Sequence, residues 1–299
     1  MTEPVRLAAG ELEAVFLPAQ GMLGASLRHR GVEMLRRVDD LPIATAKGAT
    51  AGIPLLHPWA NRLEGLRYRA AGRQVRLDPS SPLLHLDANG LPIHGVPWSA
   101  LAWEVVVSAR DRVSARLAWN REDLLAVFPF PHRMEFAATL DRDGLTLETT
   151  LVAGREGAVP VSFGFHPYFG LPDLSRARWR LATPAMRRLV LDARMLPTGA
   201  EEPWARIDAE LGARGLDDGF RLDAAGASFS VSGAGRRIRV DFLSGYAYAQ
   251  LYAPPGQELV AIEPMTAPTN ALCRGAGLTL VAPGDCYRAA FRVSVGSES

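Results

Sequence analysis

The chain of 299 residues has two cysteines, a formal net charge of +1, and no low-complexity tract. No apolar run reaches the ~20 residues that a membrane-spanning helix needs. Each shortage excludes something. Two cysteines, Cys273 and Cys286, make no disulfide framework, and neither has a metal-ligand partner at close spacing. Both are expected to be free thiols in a reducing compartment. Balanced charge without a block of one sign argues against nucleic acid or a membrane surface as the main ligand. The start, Met1-Thr2-Glu3-Pro4-Val5-Arg6, lacks a basic stretch followed by an apolar core, so no signal peptide is expected and the cytoplasm is the expected location. No His-x-His, HExxH or paired-Cys spacing occurs, so no metal is expected. Helical periodicity is scarce too, with residues 184–191 as the best short candidate.

What the chain has in quantity is period-two alternation. Met134, Phe136, Ala138 and Leu140 alternate with Glu135, Ala137 and Thr139. Ile238, Val240 and Phe242 alternate with Arg237, Arg239 and Asp241, and the run from Tyr287 to Val295 behaves likewise. One apolar and one polar face is the pattern of half-buried antiparallel strands. Asp141-Arg142-Asp143-Gly144, Gly233-Ala234-Gly235 and Ala109-Arg110-Asp111-Arg112 read as the turns that join such runs. The expected class is mainly β, a large antiparallel β-sandwich, with residues 1–299 forming one domain. The longest irregular stretches are expected at 44–62, 78–97 and 197–220, and long loops on a β scaffold are where binding groups commonly sit.

The unusual residues fall on or near those stretches. Phe163-Gly164-Phe165-His166-Pro167-Tyr168-Phe169 sets a histidine between an aromatic-rich strand and a proline. Ile262-Glu263-Pro264-Met265-Thr266 ends an apolar run on a carboxylate in the same manner. An imidazole and a carboxylate so presented are the minimum equipment for moving protons on a substrate. The first loop carries Trp59, Asn61 and Arg62, an aromatic face with amide and guanidinium donors, which suits a sugar but equally a core tryptophan beside a structural cap. In His94-Gly95 the glycine would let the backbone approach a ligand closely, although a lone histidine is as readily a satisfied buried one. Asp217-Asp218-Gly219 reads as a turn or as a hydroxyl acceptor. His29, His85 and His132 are assigned to structure or surface. No second carboxylate in a comparable setting is expected to pair with Glu263.

Six segments together resemble the aldose 1-epimerase family, the galactose mutarotase-like proteins. They run in the family's order: Pro58-Trp59-Ala60-Asn61-Arg62, His94-Gly95, His166-Pro167-Tyr168-Phe169, Leu196-Pro197-Thr198-Gly199, Asp217-Asp218-Gly219-Phe220 and Glu263-Pro264. The resemblance implies a large antiparallel β-sandwich, the galactose mutarotase-like supersandwich, and a cofactor-independent aldose mutarotase. Glu263 matches the general base that takes the anomeric hydroxyl's proton, and His166 the acid that protonates the ring oxygen. Arg62, His94 and Asp217, with Asp218 as its fallback, match positions that hold the sugar; Asn61 and Trp59 are added as substrate-binding candidates.

The implied partner is a small-molecule sugar, with the protein a monomer or homodimer. A hexose-6-phosphate 1-epimerase and a non-catalytic sugar-binding module are the alternatives; for the former, Arg62 and Arg67 are the available basic groups. Glu263 and His166 are expected to face one pocket across about one sugar ring. Galactose-handling members commonly carry Gly-Arg ahead of Ala-Asn-Arg and glutamine after Glu-Pro. Here His57-Pro58-Trp59 and Met265 stand there, a change expected to alter the pocket wall and the choice of sugar.

Overall fold

A computed structural model describes residues 3–36 and 51–297. Two large antiparallel sheets dominate. One has nine strands in the spatial order Ile207–Glu210, Arg180–Thr183, Ser228–Gly233, Arg236–Ser244, Cys286–Ser297, Gly144–Ala153, His132–Asp141, Arg112–Trp119 and Glu104–Ser108. The other runs Pro197–Trp204, Met186–Leu191, Leu216–Arg221, Tyr248–Ala253, Val260–Met265, Gly164–Phe165 and Leu55–Leu56, with Tyr168–Phe169 also paired to Val260–Met265. Among the described residues a four-stranded N-terminal sheet, from Val5–Ala9 to Val32–Glu33, and two small two-stranded sheets complete the set.

The alternation read from the sequence is the reason for this arrangement. Met134, Phe136, Ala138 and Leu140 are all buried, and so are Ile238, Val240 and Phe242. The intervening polar residues stand on the other face. The Asp141–Gly144 turn closes as expected, with the Asp141 carboxylate accepting from the backbone N–H of Asp143 and Gly144 at 2.8 and 3.0 Å. Between the two large sheets the interior is aromatic. Phe165, from the eight-stranded sheet, packs against Phe136 and Phe291 of the nine-stranded one at centroid distances of 6.4 and 5.1 Å. Phe163 meets Tyr246 and Tyr287 in the same layer.

Two expectations fail. Residues 184–191 do not form a helix; Met186–Leu191 is a strand, hydrogen-bonded to both Pro197–Trp204 and Leu216–Arg221. Stretch 197–220 is not irregular but holds three strands, Pro197–Trp204, Ile207–Glu210 and Leu216–Arg221. Pro197–Trp204 and Ile207–Glu210 are the outermost strands of their sheets. Edge strands carry proline and charge that keep other chains from pairing with them, and those residues disguise the strand pattern. Stretch 78–97 is irregular as expected, and the part of 44–62 before residue 51 lies outside the described residues. Cys273 sits in the one-turn helix Ala271–Arg274, and both cysteines are free thiols. Among the described residues no helix is long and apolar enough to cross a membrane.

Phe165→Ala removes a ring that is 1% exposed and bridges both sheets. The expected loss is ~3–5 kcal/mol, seen in urea as a lower midpoint with an unchanged slope. A loss under about 1 kcal/mol would mean that the sheets are not held through this ring.

Candidate functional site

The site is built on the outer face of the eight-stranded sheet. Along Val260–Met265, Val260 and Ile262 enter the main core, so Glu263 points the other way. In Tyr248–Ala253, Ala249, Leu251 and Ala253 are core residues, and Tyr248, Gln250 and Tyr252 share the outer face. In Leu216–Arg221, Leu216 and Phe220 face the core. Asp217 therefore faces outward with Gly219, and Asp218 does not. The pairings Asp217 to Tyr252 and Gln250 to Glu263 line these groups up across neighbouring strands. Past Phe165 the chain delivers His166 to the same face, and its backbone N–H is held by the Pro54 carbonyl at 3.1 Å.

Two loops close over this face. Asn61 and His94 both adopt left-handed backbone angles, φ 58° and 61°. Such angles are uncommon for non-glycine residues and persist where neighbours hold them. Here each holds the other: the His94 N–H donates to the Asn61 carbonyl at 2.9 Å, and the Asn61 N–H to His94 Nδ1 at 3.3 Å. Gly95, at φ +67°, rests against the His57-Pro58 backbone, where a Cβ would clash. The glycine thus serves loop against loop rather than the approach of a ligand, correcting the expectation for His94-Gly95. The third tie is the Arg62 carbonyl, which accepts from the Asn270 N–H at 2.9 Å.

The result is a cavity of about 210 Å³ lined by Asn61, Arg62, His85, Asp87, Ile93, His94, His166, Tyr168, Asp217, Gln250, Tyr252 and Glu263. Glu263, His166, Arg62, His94, Asp217 and Asn61 thus come together from five separate segments. Trp59 does not join them. It is fully buried in the main core, packed 6.4 Å from the Tyr68 ring; the reading as a core tryptophan is the correct one. Asp218 instead lies 3.7 Å from Arg188.

His166 Nε2 lies 3.2 Å from Glu263 Oε1 and 2.9 Å from the Tyr168 hydroxyl, with the His166 and Tyr168 rings stacked at 4.0 Å. The expected gap of a whole sugar ring between imidazole and carboxylate is therefore not there. Neither Glu263 oxygen nor His166 Nδ1 has a hydrogen-bond partner among the described residues, and Glu263 is 1% exposed. Burial pushes the Glu263 carboxyl well above the usual range, and the nearby Asp217 carboxylate adds to this against the pull of Arg62. Burial, then His94, hold the His166 imidazole well below its usual value. The His94 imidazole falls to about 3, first by burial and then through Arg62 and His85. It is neutral at neutral pH, and since its Nδ1 accepts from Asn61, its proton is on Nε2, a donor for a ligand oxygen.

Arg62 is oriented by Asp87, which takes its Nε–H at 2.7 Å, and by Asn61 Oδ1, 3.2 Å from Nη1. Asp87 also accepts from the N–H of Asn89 and Leu91, fixing the loop itself. Gln250 donates to Asp217 Oδ1 at 2.7 Å, and burial raises the Asp217 carboxyl. Asp217 thus lines the same cavity as Glu263. Among the described residues no group of three His, Cys, Asp or Glu side chains is placed to hold a metal ion.

The model of the aldose 1-epimerase family matches residues 5–294. The chain belongs to the aldose 1-epimerase family. The protein YihR of Escherichia coli strain K12, itself uncharacterised, is 24% identical over 310 residues, spanning 97% of this chain and 92% of YihR. Among solved structures, a galactose mutarotase-like protein from Clostridium acetobutylicum superposes with a TM-score of 0.84 at 20% identity, over 98% of this chain and 95% of that one. The aldose epimerase homologue from C. elegans gives 0.83 at 19%, over the whole of both chains. These likenesses establish the shared β-sandwich.

For a member of this family, the departures at 57–59 and 265 have a different meaning from the one expected. His57 is buried, with Nε2 2.9 Å from His132 Nε2, and Met265 packs with Leu56 and Ala60. Neither lines the cavity: His57 belongs to the packing behind it, and Met265, on the outer face with Glu263, packs beside it with Tyr248. His132 is structural as expected, and His29 lies 3.7 Å from Glu11 on the N-terminal sheet. His85, assigned to structure or surface, is exposed but stands at the cavity mouth. His85, Asp87, Tyr168, Gln250 and Tyr252 went unrecognised in the sequence. Tyr252 and Gln250 carry a signal in hindsight, the outer parity of a strand whose other face is Ala-Leu-Ala.

A carboxyl whose folded pKa is raised contributes stability that is whole below its unfolded value and lost as pH rises through the folded value. Glu263→Gln removes that loss. The variant is expected to melt above wild type at pH 8, by about 2–4 °C for each kcal/mol recovered, with the advantage shrinking toward pH 4. Equal melting temperatures across that range would contradict a strained Glu263 carboxylate.

Proposed function

We propose that the protein is a cofactor-independent aldose mutarotase, interconverting the α and β anomers of a hexose. The observation that carries this reading is the buried imidazole and carboxyl 3.2 Å apart on the floor of a cavity walled by hydroxyl-binding groups. Mutarotation exchanges protons at two oxygens, the anomeric hydroxyl and the ring oxygen. Both are bonded to C1, so an acid and a base that serve them belong side by side. A ring-wide separation is the wrong requirement.

Glu263 takes the proton of the anomeric hydroxyl, and the O1–C1 bond becomes a carbonyl. The C1–O5 bond breaks, its electron pair goes to O5, and His166 Nε2 delivers a proton there. The open aldehyde rotates about C1–C2. The O5 hydroxyl then attacks the other face of C1, returning its proton to His166 while Glu263 gives its proton back to O1. The pair holds one proton before and after each half-reaction. No net charge enters or leaves the cavity, which suits two groups that are costly to ionise when buried. Arg62 favours the Glu263 carboxylate that the first step requires. Arg62, Asn61, the Nε2–H of His94, and Asp217 held by Gln250 supply donors and an acceptor for the remaining hydroxyls.

A hexose 6-phosphate finds less support. Among the described lining residues Arg62 is the sole arginine, already bound to Asp87, and the exposed Arg67 on strand Arg67–Ala70 does not line the cavity. A purely sugar-binding module has no use for an unpartnered buried Glu beside a His.

Anomer-exchange NMR across aldoses, with hexose 6-phosphates alongside, identifies the substrate. On it, Glu263→Gln and His166→Ala should each lower kcat by about 10²–10⁴-fold, the double variant losing little more than the worse single. The rate of the wild type should fall at low pH, where the pair takes a second proton, and at high pH, where it loses its only one. Undiminished activity in Glu263→Gln, followed by polarimetry, would sink the assignment.

A further inference from the structure

A cavity of about 670 Å³ lies on the nine-stranded sheet and shares no residue with the candidate site. Leu181, Phe229, Val231, Ile238 and Val240 point from this sheet into the main core. The residues between them, Arg180, Ala182, Ser230, Ser232, Arg237 and Arg239, therefore stand on the outer face and line the cavity. We propose that this cavity binds a small organic phosphate, the phosphate group held among the arginines and the organic body against residues 222–227. The site is separate from the proposed mutarotase chemistry, which uses the outer face of the other large sheet.

The strand register builds a cradle. Arg180 lies opposite Ser232, and Ser232 opposite Arg237. Two strand spacings, about 10 Å, thus separate the two arginines across that serine. In the next row Ala182 lies opposite Ser230, and Ser230 opposite Arg239. Short side chains form the floor, and long cationic ones rise on both sides of it. Arg206, just ahead of Ile207–Glu210, adds a fourth guanidinium. Asp208 registers their convergence. Its carboxyl is held below the usual value first by the hydrogen bond from Arg180, and further by the charges of Arg206 and Arg237. Arg237 stems from the third strand over, so a charge felt at Asp208 leans in across the floor.

Not every arginine is neutralised locally. Arg180 pairs with Asp208 at 2.6 Å and Arg239 with Asp241 at 2.8 Å. Arg206 is 3.7 Å from the same Asp208. Asp223, the other acid of the lining, is 3.6 Å from Arg221, which lies outside the cavity. Arg237 has no carboxylate within ion-pair distance among the described residues, and its Nε is buried without a hydrogen-bond partner. A buried, unpaired guanidinium N–H is costly, and an acceptor brought by a ligand relieves it. Guanidinium forks match phosphate oxygens, and the Ser230 hydroxyl on the floor is a further donor to the same group. A bare phosphate would fill little of this cavity, whose volume is in the range of about 300–1,000 Å³ that suits organic ligands. The register also orients the body. Arg180, Ser232 and Arg237 mark one end, and Ser228, Pro184 and Ala185 the other. At that second end Leu222, Ala224, Ala225 and Ala227 supply a mostly apolar wall.

Titration calorimetry on the whole chain tests this with inorganic phosphate, phenyl phosphate, citrate and phenol. Phenyl phosphate should bind about tenfold or more tightly than inorganic phosphate, and phenol should show no binding. Arg237→Gln should weaken phenyl phosphate by about tenfold or more, the loss of a charged hydrogen bond. Ser230→Asp, which sets a negative charge on the half-exposed floor, should do the same, and it decides the matter if Arg237→Gln does not fold. Arg62→Gln, in the candidate site, should leave phenyl phosphate affinity unchanged. No binding of either phosphate, or citrate binding more tightly than phenyl phosphate, would overturn the site. So would phosphate binding that is lost in Arg62→Gln and kept in Ser230→Asp.

Discussion

Phe165 and His166 are neighbours in the chain and face opposite sides of one sheet. Successive side chains on a strand must alternate, and here the alternation joins the two halves of the molecule. Phe165 closes the interior between the large sheets against Phe136 and Phe291. His166 is thereby committed to the outer face, where Glu263, Gln250, Tyr252 and Asp217 arrive by the same rule from three adjacent strands. The position of the imidazole is as well determined as the core itself, because rotating it out of the cavity would require withdrawing a buried phenyl ring.

That coupling matters because the site works against folding. Glu263 and His166 are each held in surroundings that disfavour their charged forms. His57, His94 and His132 are buried and held neutral as well, the last at about 4. An unfolded chain takes up protons on these imidazoles below about pH 6.5, so the fold gives up stability as the pH falls through that range. The loops that carry Asn61, Arg62 and His94 keep left-handed residues in place through mutual hydrogen bonds, the Asn270 N–H on the Arg62 carbonyl and the close contact of Gly95 with His57-Pro58. The extensive aromatic interior offsets these costs.

The strands of the nine-stranded sheet were legible because one face is solvated, so that polar residues alternate visibly with apolar ones. The site residues Glu263 and His166 were legible as titratable groups ending apolar runs. What sequence could not supply was adjacency. Gln250 faces Glu263 only because their strands pair in one register, and a shift by one residue would turn every side chain over. Asp217 and Asp218 differ in parity alone, and Leu216 with Phe220 already marks which is inward; mistaking the strand for a loop hid that mark. Trp59 misled because an indole suits a sugar and a core equally. His57 misled because a residue next to a site in sequence can lie behind it in space, and Met265 because one on the same face can lie beside it.

Charge balance in the cavity bears on the kind of molecule it takes. Arg62, which alone supplies a permanent positive charge among the described lining residues, spends its Nε on Asp87. His94 stays neutral and acts as a donor. Asp217 is occupied on one oxygen by Gln250. An anion would meet the Asp217 and Glu263 carboxyls as well as Arg62, whose charge Asp87 already offsets. A neutral polyol would disturb none of these pairs and could take up the unused sites: the second oxygen of Asp217, the remaining guanidinium N–H groups, the imidazole N–H of His94, and the Glu263 oxygens. For the proposed mutarotase, these contacts thus favour a neutral, hydroxyl-bearing ligand.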